Sequence, residues 1–557
     1  MDRPWLRLYP AGVPDRLPPG PDTLVDLLED SFRRHAGLVA CRFRGVDLDY
    51  AEIDQRSREL AAWLQSTGLL PGDRVAVMLS NLPQVPVAAA AILRAGMVLV
   101  NVNPLCTPRE LCAQLSDAGA RAIVVQDHLA VTLQAALASL PPLHVVVTGA
   151  GDLLGALKGA VVNLRARHLD KQVPPWRIEG ALPLGKALAI GKRRGWTPQA
   201  RSPDDIALLQ YTTGSGAPVP ASVLLHRNLA ANLRQVHAWI RPALTRLDTA
   251  GQPVFAGLLP LHHLFGFQLT LMLGLWLGAR LLLLSEPRDI EQSLAELASD
   301  PVHLLPAAPL QFAALSRHAQ VQDVDWSGLV LSLACGTPVQ ADTAALWVEK
   351  TASPLCEAYG LTEAGPLVAC NPVDLVSFSG WAGVPLPGTD VQLHDDEGQP
   401  AMPGQAGEVV IRGPQAMAGY WQRPEETSRV MTAQGYLRSG DIGILDDAGR
   451  LRIVERKRDL IVTGGFSVVP REVEEVIASL PGVRECAAVG LQDDRSGQTV
   501  KVVVVRERDE LSEADVRAHC EAHLSVYKRP RVIEFRSHLP RSATGKVMRH
   551  LLRAGTD

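Results

Sequence analysis

An alternation constrains this chain more than any other feature. Short, uninterrupted apolar runs are separated by stretches of helical periodicity, from the N-terminus to about residue 450. The runs include Arg74-Val75-Ala76-Val77-Met78-Leu79, Ala122-Ile123-Val124-Val125 and His144-Val145-Val146-Val147. A strand that is apolar at every position needs burial on both faces, which a parallel sheet covered by helices supplies. Between the runs, Leu24, Leu27, Leu28 and Phe32 recur at helical spacing, as do Leu60, Trp63 and Leu64. Thr107-Pro108-Arg109-Glu110 reads as a helix start: a capping Thr, proline in the first turn and Glu three residues after the cap. The predicted class is α/β, with a large N-terminal region of mixed and parallel sheets covered by helices.

At 557 residues the chain exceeds one hydrophobic core, so at least two domains are expected. The pattern changes at Glu455-Arg456-Lys457-Arg458-Asp459. Beyond it the spacing predicts a helix over 473–480, strands over 486–490 and 500–505, a helix over 512–524 and a strand over 532–535. That is a small α+β unit. The expected division is 1–455 and a small, mobile C-terminal domain over 456–557, hinged at 455–459.

Net charge of −4 and a pI near 6.4 argue against nucleic-acid binding, which needs a concentrated basic surface. None of the eight cysteines forms a CxxC pair, which removes zinc ribbons and thioredoxin-like sites. Scattered thiols and no secretory leader pattern point to the cytoplasm. The apolar stretch 269–284 is interrupted by Arg280 and falls short of the roughly 18 residues a membrane span requires. A buried helix followed by a strand over 280–284 is expected there. Segment 150–200 places Lys158, Arg165, Arg167, Lys171, Lys192, Arg193 and Arg194 among apolar residues. It reads as a solvated basic insertion, or as an amphipathic element resting peripherally on anionic lipid at the inner face of a membrane. Nothing in the pattern indicates an oligomeric state.

Chemistry concentrates in three stretches. They are Cys356-Glu357-Ala358-Tyr359-Gly360-Leu361-Thr362-Glu363, Tyr436-Leu437-Arg438-Ser439-Gly440-Asp441-Ile442-Gly443 with Arg456 beyond it, and Leu539-Pro540-Arg541-Ser542-Ala543-Thr544-Gly545-Lys546. In order and spacing they resemble signature motifs of the adenylate-forming superfamily of acyl-CoA synthetases, luciferases and peptide-synthetase adenylation domains. Around 331–372 and 97–120 the resemblance narrows to bacterial long-chain fatty acyl-CoA ligases. It covers nearly the whole chain.

The resemblance implies that a fatty acid reacts with ATP and Mg²⁺ to give acyl-AMP and pyrophosphate, and that coenzyme A or a carrier-protein thiol then accepts the acyl group. A poor electrophile is thereby turned into a mixed anhydride, and the charge developing on phosphate calls for positioned cations. Lys546 would supply one from a flexible loop. Pro540 stands where a Walker A loop would have its first glycine, so that motif does not claim the lysine. By the same resemblance Glu363 would be the Mg²⁺ ligand, Thr362 would bond the α-phosphate, and Tyr359 with Gly360 would border adenine. Asp441 and Arg456 would hold the ribose, Gly336 would allow close backbone approach, and His263 rather than His262 would face the acyl pocket. Gly465 and Phe466 fall where the small domain closes for thioester formation. Thr212, Gly214 and Ser215 belong to the phosphate-binding loop.

That loop departs from the family. Pro220 stands at its lysine position, Pro218 removes another N–H, and Ala217 and Ala221 replace glycines. Ala334 and Cys335 replace glycines beside the adenine site. The alternatives to a coenzyme A ligase are an enzyme loading a carrier protein and a catalytically weakened acyl or nucleotide binder.

Overall fold

The computed structural model describes all residues except 1–2, 212–219, 248–250, 285, 396, 403, 464–465, 494–496, 509, 543–544 and 554–557, with backbone alone at 458, 462, 466–467 and 497. Contacts divide the chain into two compact units: Leu6–Asp390 with Arg412–Leu437, and Met1–Trp5 with Val391–Ile411 and Arg438–Asp557. Segment 455–459 lies within the smaller one.

The larger unit holds two sheets among the described residues. The first runs in spatial order Val384–Pro385, Leu367–Cys370, Leu355–Gly360, Leu331–Cys335, Leu304–Ala307, Val254–Gly257, Arg280–Leu283, Val39–Phe43 and Val46–Asp49. Its middle strands, from Leu355–Gly360 to Val39–Phe43, pair in parallel. The second runs Gly419–Tyr420, Ser222–Leu225, Ile206–Gln210, Val98–Asn101, Arg74–Met78, Ala120–Gln126, His144–Thr148 and Leu182–Pro183. It is parallel from Ile206–Gln210 onward. The apolar runs are these central strands, and the expected α/β class is observed.

Local chemistry sets the helix starts. Thr107 and Glu110 form the expected capping box on Pro108–Ala118, and Asp49 with Glu52 forms another on Tyr50–Ser66. Helix Gln84–Arg94 is buried along its whole length. Its last residue carries a fully buried guanidinium, paired with Glu29 at 2.8 Å and with Asp54, and 4.8 Å from the Phe32 ring centroid. A buried cation is tolerated only with such partners. Stretch 269–284 folds as a wide-turned (π) helix Gly266–Met272, a helical turn Leu273–Trp276 and the strand Arg280–Leu283, all well buried. No helix among the described residues is long and apolar enough to cross a membrane.

Segment 150–200 divides in two. Helix Leu184–Arg194 packs Leu184, Ala187 and Gly191 inward, and a Cβ on Gly191 would stand 1.7 Å from the Glu59 carbonyl oxygen. Lys186 and the last turn, Lys192–Arg194, form the solvated basic surface expected. Helix Ala156–Leu164 lies outside the core.

His226 opens helix His226–Leu244, and its Nδ1 accepts the Leu24 N–H at 3.3 Å. Burial, reinforced by the Arg201 cation, pulls this imidazole down to about 4. An exposed histidine titrates near 6.5. The folded value is the lower one, so its contribution is complete above about 6.5 and falls by about 1.4 kcal/mol per pH unit toward about 4. Urea unfolding at about pH 7 and about pH 5 should show this loss, and His226→Gln should flatten it. An unchanged slope in the variant would acquit His226.

The smaller unit has a four-stranded sheet, Asp390–His394, Gly407–Arg412, Leu437–Leu445 and Leu451–Arg456. Its other sheet orders Phe466–Val468, Ile461–Thr463, Gly497–Arg506 and Val483–Asp493, with Val532–Arg536 pairing in parallel on Gly497–Arg506. Helices Pro470–Ala478 and Glu513–His523 bury Val473, Ile477, Val516 and Cys520 against it. The first helix begins three residues before the predicted start because Pro470 fits a first turn.

Candidate active site

Parallel strands bring their carboxyl ends, and the loops that follow, to one edge of a sheet. In the nine-stranded sheet, strand Val254–Gly257 leads into Pro260-Leu261-His262-His263-Leu264-Phe265-Gly266. Asn81 holds this loop, donating to the Gly257 and Leu259 carbonyls at 2.9 and 3.0 Å and accepting from Leu261 N–H at 2.9 Å. A Cβ on Gly266 would stand 2.2 Å from the Pro260 oxygen, so the turn admits only glycine. His263 Nδ1 accepts the Phe265 N–H at 3.4 Å, and the two rings stack. Burial, with His263 and Arg288 nearby, pulls His262 down to about 3, which keeps it neutral near pH 7.

Strand Leu331–Cys335 ends at Gly336, whose φ of +104° favours glycine and whose Cβ position faces open space. Ala334 packs with Phe312 and Trp347 in the core. Of the two residues that replace glycines beside the expected adenine site, Ala334 fills the core, because successive residues on a strand face opposite sides. Glu357 accepts the Val339 N–H at 3.2 Å and ties the loop after Gly336 to the next strand.

That strand, Leu355–Gly360, delivers a buried Tyr359, and the helical turn Thr362–Ala364 follows. Thr362 is buried and Glu363 half-buried. The Glu363 carbonyl accepts the Met417 N–H at 2.8 Å, and its Oε1 accepts the Tyr420 hydroxyl at 3.2 Å. Burial and the Glu363 carboxylate push the Tyr420 phenol well above its ordinary value, so it stays a donor. Tyr420 lies 57 residues from Glu363, and no local pattern announces the contact.

Among the described residues no group of three or more His, Cys, Asp or Glu could hold a metal ion. Glu363 offers one carboxylate. That suits a magnesium ion whose remaining ligands are phosphate oxygens and water, and does not suit an all-protein cage.

Thr212, Gly214 and Ser215 lie outside the described residues, as does Gly465; Phe466 is described by backbone alone. The flanks of the phosphate loop are well held. Gln210 accepts from the Asn101 amide at 3.1 Å and donates to the His262 carbonyl at 3.2 Å, so the chain enters 212–219 beside the histidine loop. Tyr211 donates to Asp117 at 2.7 Å, and Arg423 pairs with the other oxygen of that carboxylate at 2.6 Å. On the far side Pro220 is half-buried, and the Ala221 carbonyl accepts the Trp421 N–H at 2.8 Å.

The smaller unit carries the other candidates. Asp441 and Arg456 are direct partners across the antiparallel strands Leu437–Leu445 and Leu451–Arg456, with Nε 3.3 Å from the buried Asp441 carboxylate. Lys546 lies at the end of a turn. Arg541 and Val547 pair as an antiparallel bridge, Ser542 N–H donates to the Lys546 carbonyl at 2.8 Å, and Gly545 takes a φ of +80°. Three residues on, Arg549 is bonded to Glu474 at 2.8 Å and lies 3.9 Å from Glu455, whose carboxyl is raised by burial. The lysine-bearing turn is thus tied to the strand that ends at Arg456.

Two family models match this chain: AMP-binding enzyme over residues 28–421, and the AMP-binding enzyme C-terminal domain over residues 472–546. The first spans more than half the chain, and the chain belongs to the AMP-binding enzyme family. It is 42% identical over 555 residues to a long-chain-fatty-acid–CoA ligase of Escherichia coli O157:H7, covering 99% of this chain and 98% of that one. It is 32% identical to the long-chain-fatty-acid–CoA ligase of Bacillus subtilis, over 99% and 97% of the two chains. The crystal structure of ATP-bound MatB from Rhodopseudomonas palustris superposes with a TM-score of 0.79 at 26% identity, covering 95% of this chain and 98% of that one.

Proposed function

We propose that the chain is an AMP-forming acid–thiol ligase that activates a fatty acid and passes it to coenzyme A. The observation that carries this reading is the gathering of Gly336, Tyr359, Gly360, Thr362, Glu363 and His263 at one sheet edge, in a chain with full-length likeness to long-chain-fatty-acid–CoA ligases. In the first step a carboxylate oxygen attacks the α-phosphorus of ATP, the Pα–O bond to the β-phosphate breaks, and pyrophosphate leaves. In the second, the sulfur of coenzyme A attacks the acyl carbon, its proton passes to solvent, and AMP leaves with the bridging oxygen.

The roles follow the chemistry of the groups. Tyr359 and Gly360 border adenine, Gly336 allows close backbone approach, and Thr362 donates to the α-phosphate. Asp441 accepts both ribose hydroxyls, and the Arg456 cation 3.3 Å away orients it. Lys546 meets the carboxylate and the α-phosphate. Thr212, Gly214 and Ser215 cradle the outer phosphates, and His263 faces the acyl chain. A magnesium ion held by Glu363 would neutralise phosphate charge, with Tyr420 fixing that carboxylate. The proposed domain division at 455–459 lets residues 456–557 turn between half-reactions, removing Lys546 and admitting the thiol through Gly465 and Phe466.

The test is pyrophosphate release from MgATP over acids from acetate to oleate, with and without coenzyme A. Release that depends on a fatty acid, and acyl-CoA formation when coenzyme A is added, are expected. No release above a protein-free control across the panel would overturn the reading and favour a weakened binder, with Pro220 the first residue to change back to lysine. Release with transfer only to a phosphopantetheine carrier would replace coenzyme A as the acceptor.

A further inference from the structure

The surface helix Ala156–Leu164, continued by the wide-turned stretch Arg165–Leu169, has its polarity reversed. An ordinary surface helix buries an apolar stripe and exposes polar residues. Here the face turned to the body is small and polar. A Cβ on Gly159 would stand 2.2 Å from the Gly151 carbonyl oxygen, and Asn163 accepts from Gly151 N–H at 2.7 Å while donating to Asp152 at 2.8 Å. The outward face carries Leu157, Val161 and Leu164, which are 87%, 63% and 60% exposed. Their spacing of four and then three residues aligns them on one stripe. Leu169, 74% exposed, extends it.

Cations border the stripe. Arg165, Arg167 and Lys171 are exposed, while the exposed Lys158 turns its ammonium to the Arg44 carbonyl at 2.5 Å. Arg165 meets Asp170 at 3.2 Å, and Arg167 lies 3.8 Å from Asp127. Asp170 is the one acidic residue within 156–171, so the face stays cationic. A second copy of the chain docking symmetrically here would set these cations against their own copies, which opposes association. An anionic bilayer satisfies both features, because apolar side chains enter the acyl boundary while long basic side chains reach back to headgroup phosphates.

We propose that residues 156–171 form the face by which this protein docks on an anionic lipid bilayer, with Leu157, Val161 and Leu164 inserted and Arg165, Arg167 and Lys171 on the headgroups. Under the ligase reading this face would hold the enzyme where fatty acids partition. The docking itself does not depend on that reading.

Sedimentation with phosphatidylglycerol vesicles, phosphatidylcholine vesicles and no lipid tests the proposal on the full chain. The unaltered protein should sediment with phosphatidylglycerol and be released by salt. Leu157→Glu with Val161→Glu and Leu164→Glu should bind roughly tenfold less or worse at an unchanged melting temperature, since these side chains are mostly exposed. Absence of binding by the unaltered protein, undiminished binding by the variant, or equal capture by phosphatidylcholine would overturn the proposal. So would a lipid-independent dimer abolished by the substitutions, which would assign the face to a second copy. The assay reads no acid activation, so its failure would leave the ligase reading standing.

Discussion

Lys546→Ala should lower fatty-acid-dependent pyrophosphate release by roughly 10²- to 10³-fold, the usual cost of one lost electrostatic donor at a preorganised site. The change removes the ammonium while leaving its turn intact. The bonds that close that turn run between Ser542, Gly545 and the Lys546 backbone, and the neighbouring bridge joins Arg541 to Val547. The unfolding midpoint, measured alongside, reports how much of any loss is structural. The second half-reaction separates a catalytic role from a general one. If Lys546 acts only while acyl-AMP is being made, synthetic acyl-AMP with coenzyme A should be converted by the variant at close to the unaltered rate. A variant that releases pyrophosphate as fast as the parent would sink the assignment. Equal losses in both half-reactions would show that Lys546 supports the fold of its unit and does not act on the phosphate.

Gly360→Ala should be nearly as damaging although it removes no functional group. A Cβ there would stand 1.8 Å from the Pro366 carbonyl oxygen, 2.8 Å from its carbon and 3.0 Å from the Leu367 Cα. All three belong to backbone, so no side chain can swing away. Relief requires separating Leu355–Gly360 from its antiparallel neighbour Leu367–Cys370, which overlap at Gly360 and Leu367. Overpacking of this kind costs about 1–3 kcal/mol in stability. The movement would carry Tyr359, Thr362 and Glu363 with it, and a misplacement near 1 Å in an active site can cost about 10² in rate. Urea unfolding and kcat/KM should both register the change. Parental values in both would mean that these residues do not need the close approach.

The extent to which the sequence could be read follows from how far apart the deciding residues lie. Helix starts such as Thr107 with Glu110 are contests among neighbouring atoms, and that capping box formed as expected. The buried parallel strands were legible because a run without alternation leaves one arrangement that covers both faces. The gathering of Gly336, Tyr359 and Thr362 at one edge also follows, once the strands are known to be parallel, from strand ends and the loops after them.

Contacts between distant segments were not legible. Tyr420 reaching Glu363, Gln210 reaching the His262 carbonyl and Asn81 holding the histidine loop depend on sheet order, which periodicity does not encode. The pairing of Arg541 with Val547 beside Lys546 likewise has no pattern in residue type. Segment 150–200 read as one basic stretch, although its two helices differ completely in what they bury.

By itself, then, the sequence determined the α/β class, the helix starts and the motifs that place the chain near adenylate-forming ligases, since each depends on residues close together in the chain. The tertiary structure alone decided which face of helix Ala156–Leu164 meets solvent, which carboxylate Tyr420 restrains and which strand presses on Gly360. Those outcomes depend on packing between segments far apart in the chain, where burial and close backbone approach override local preference.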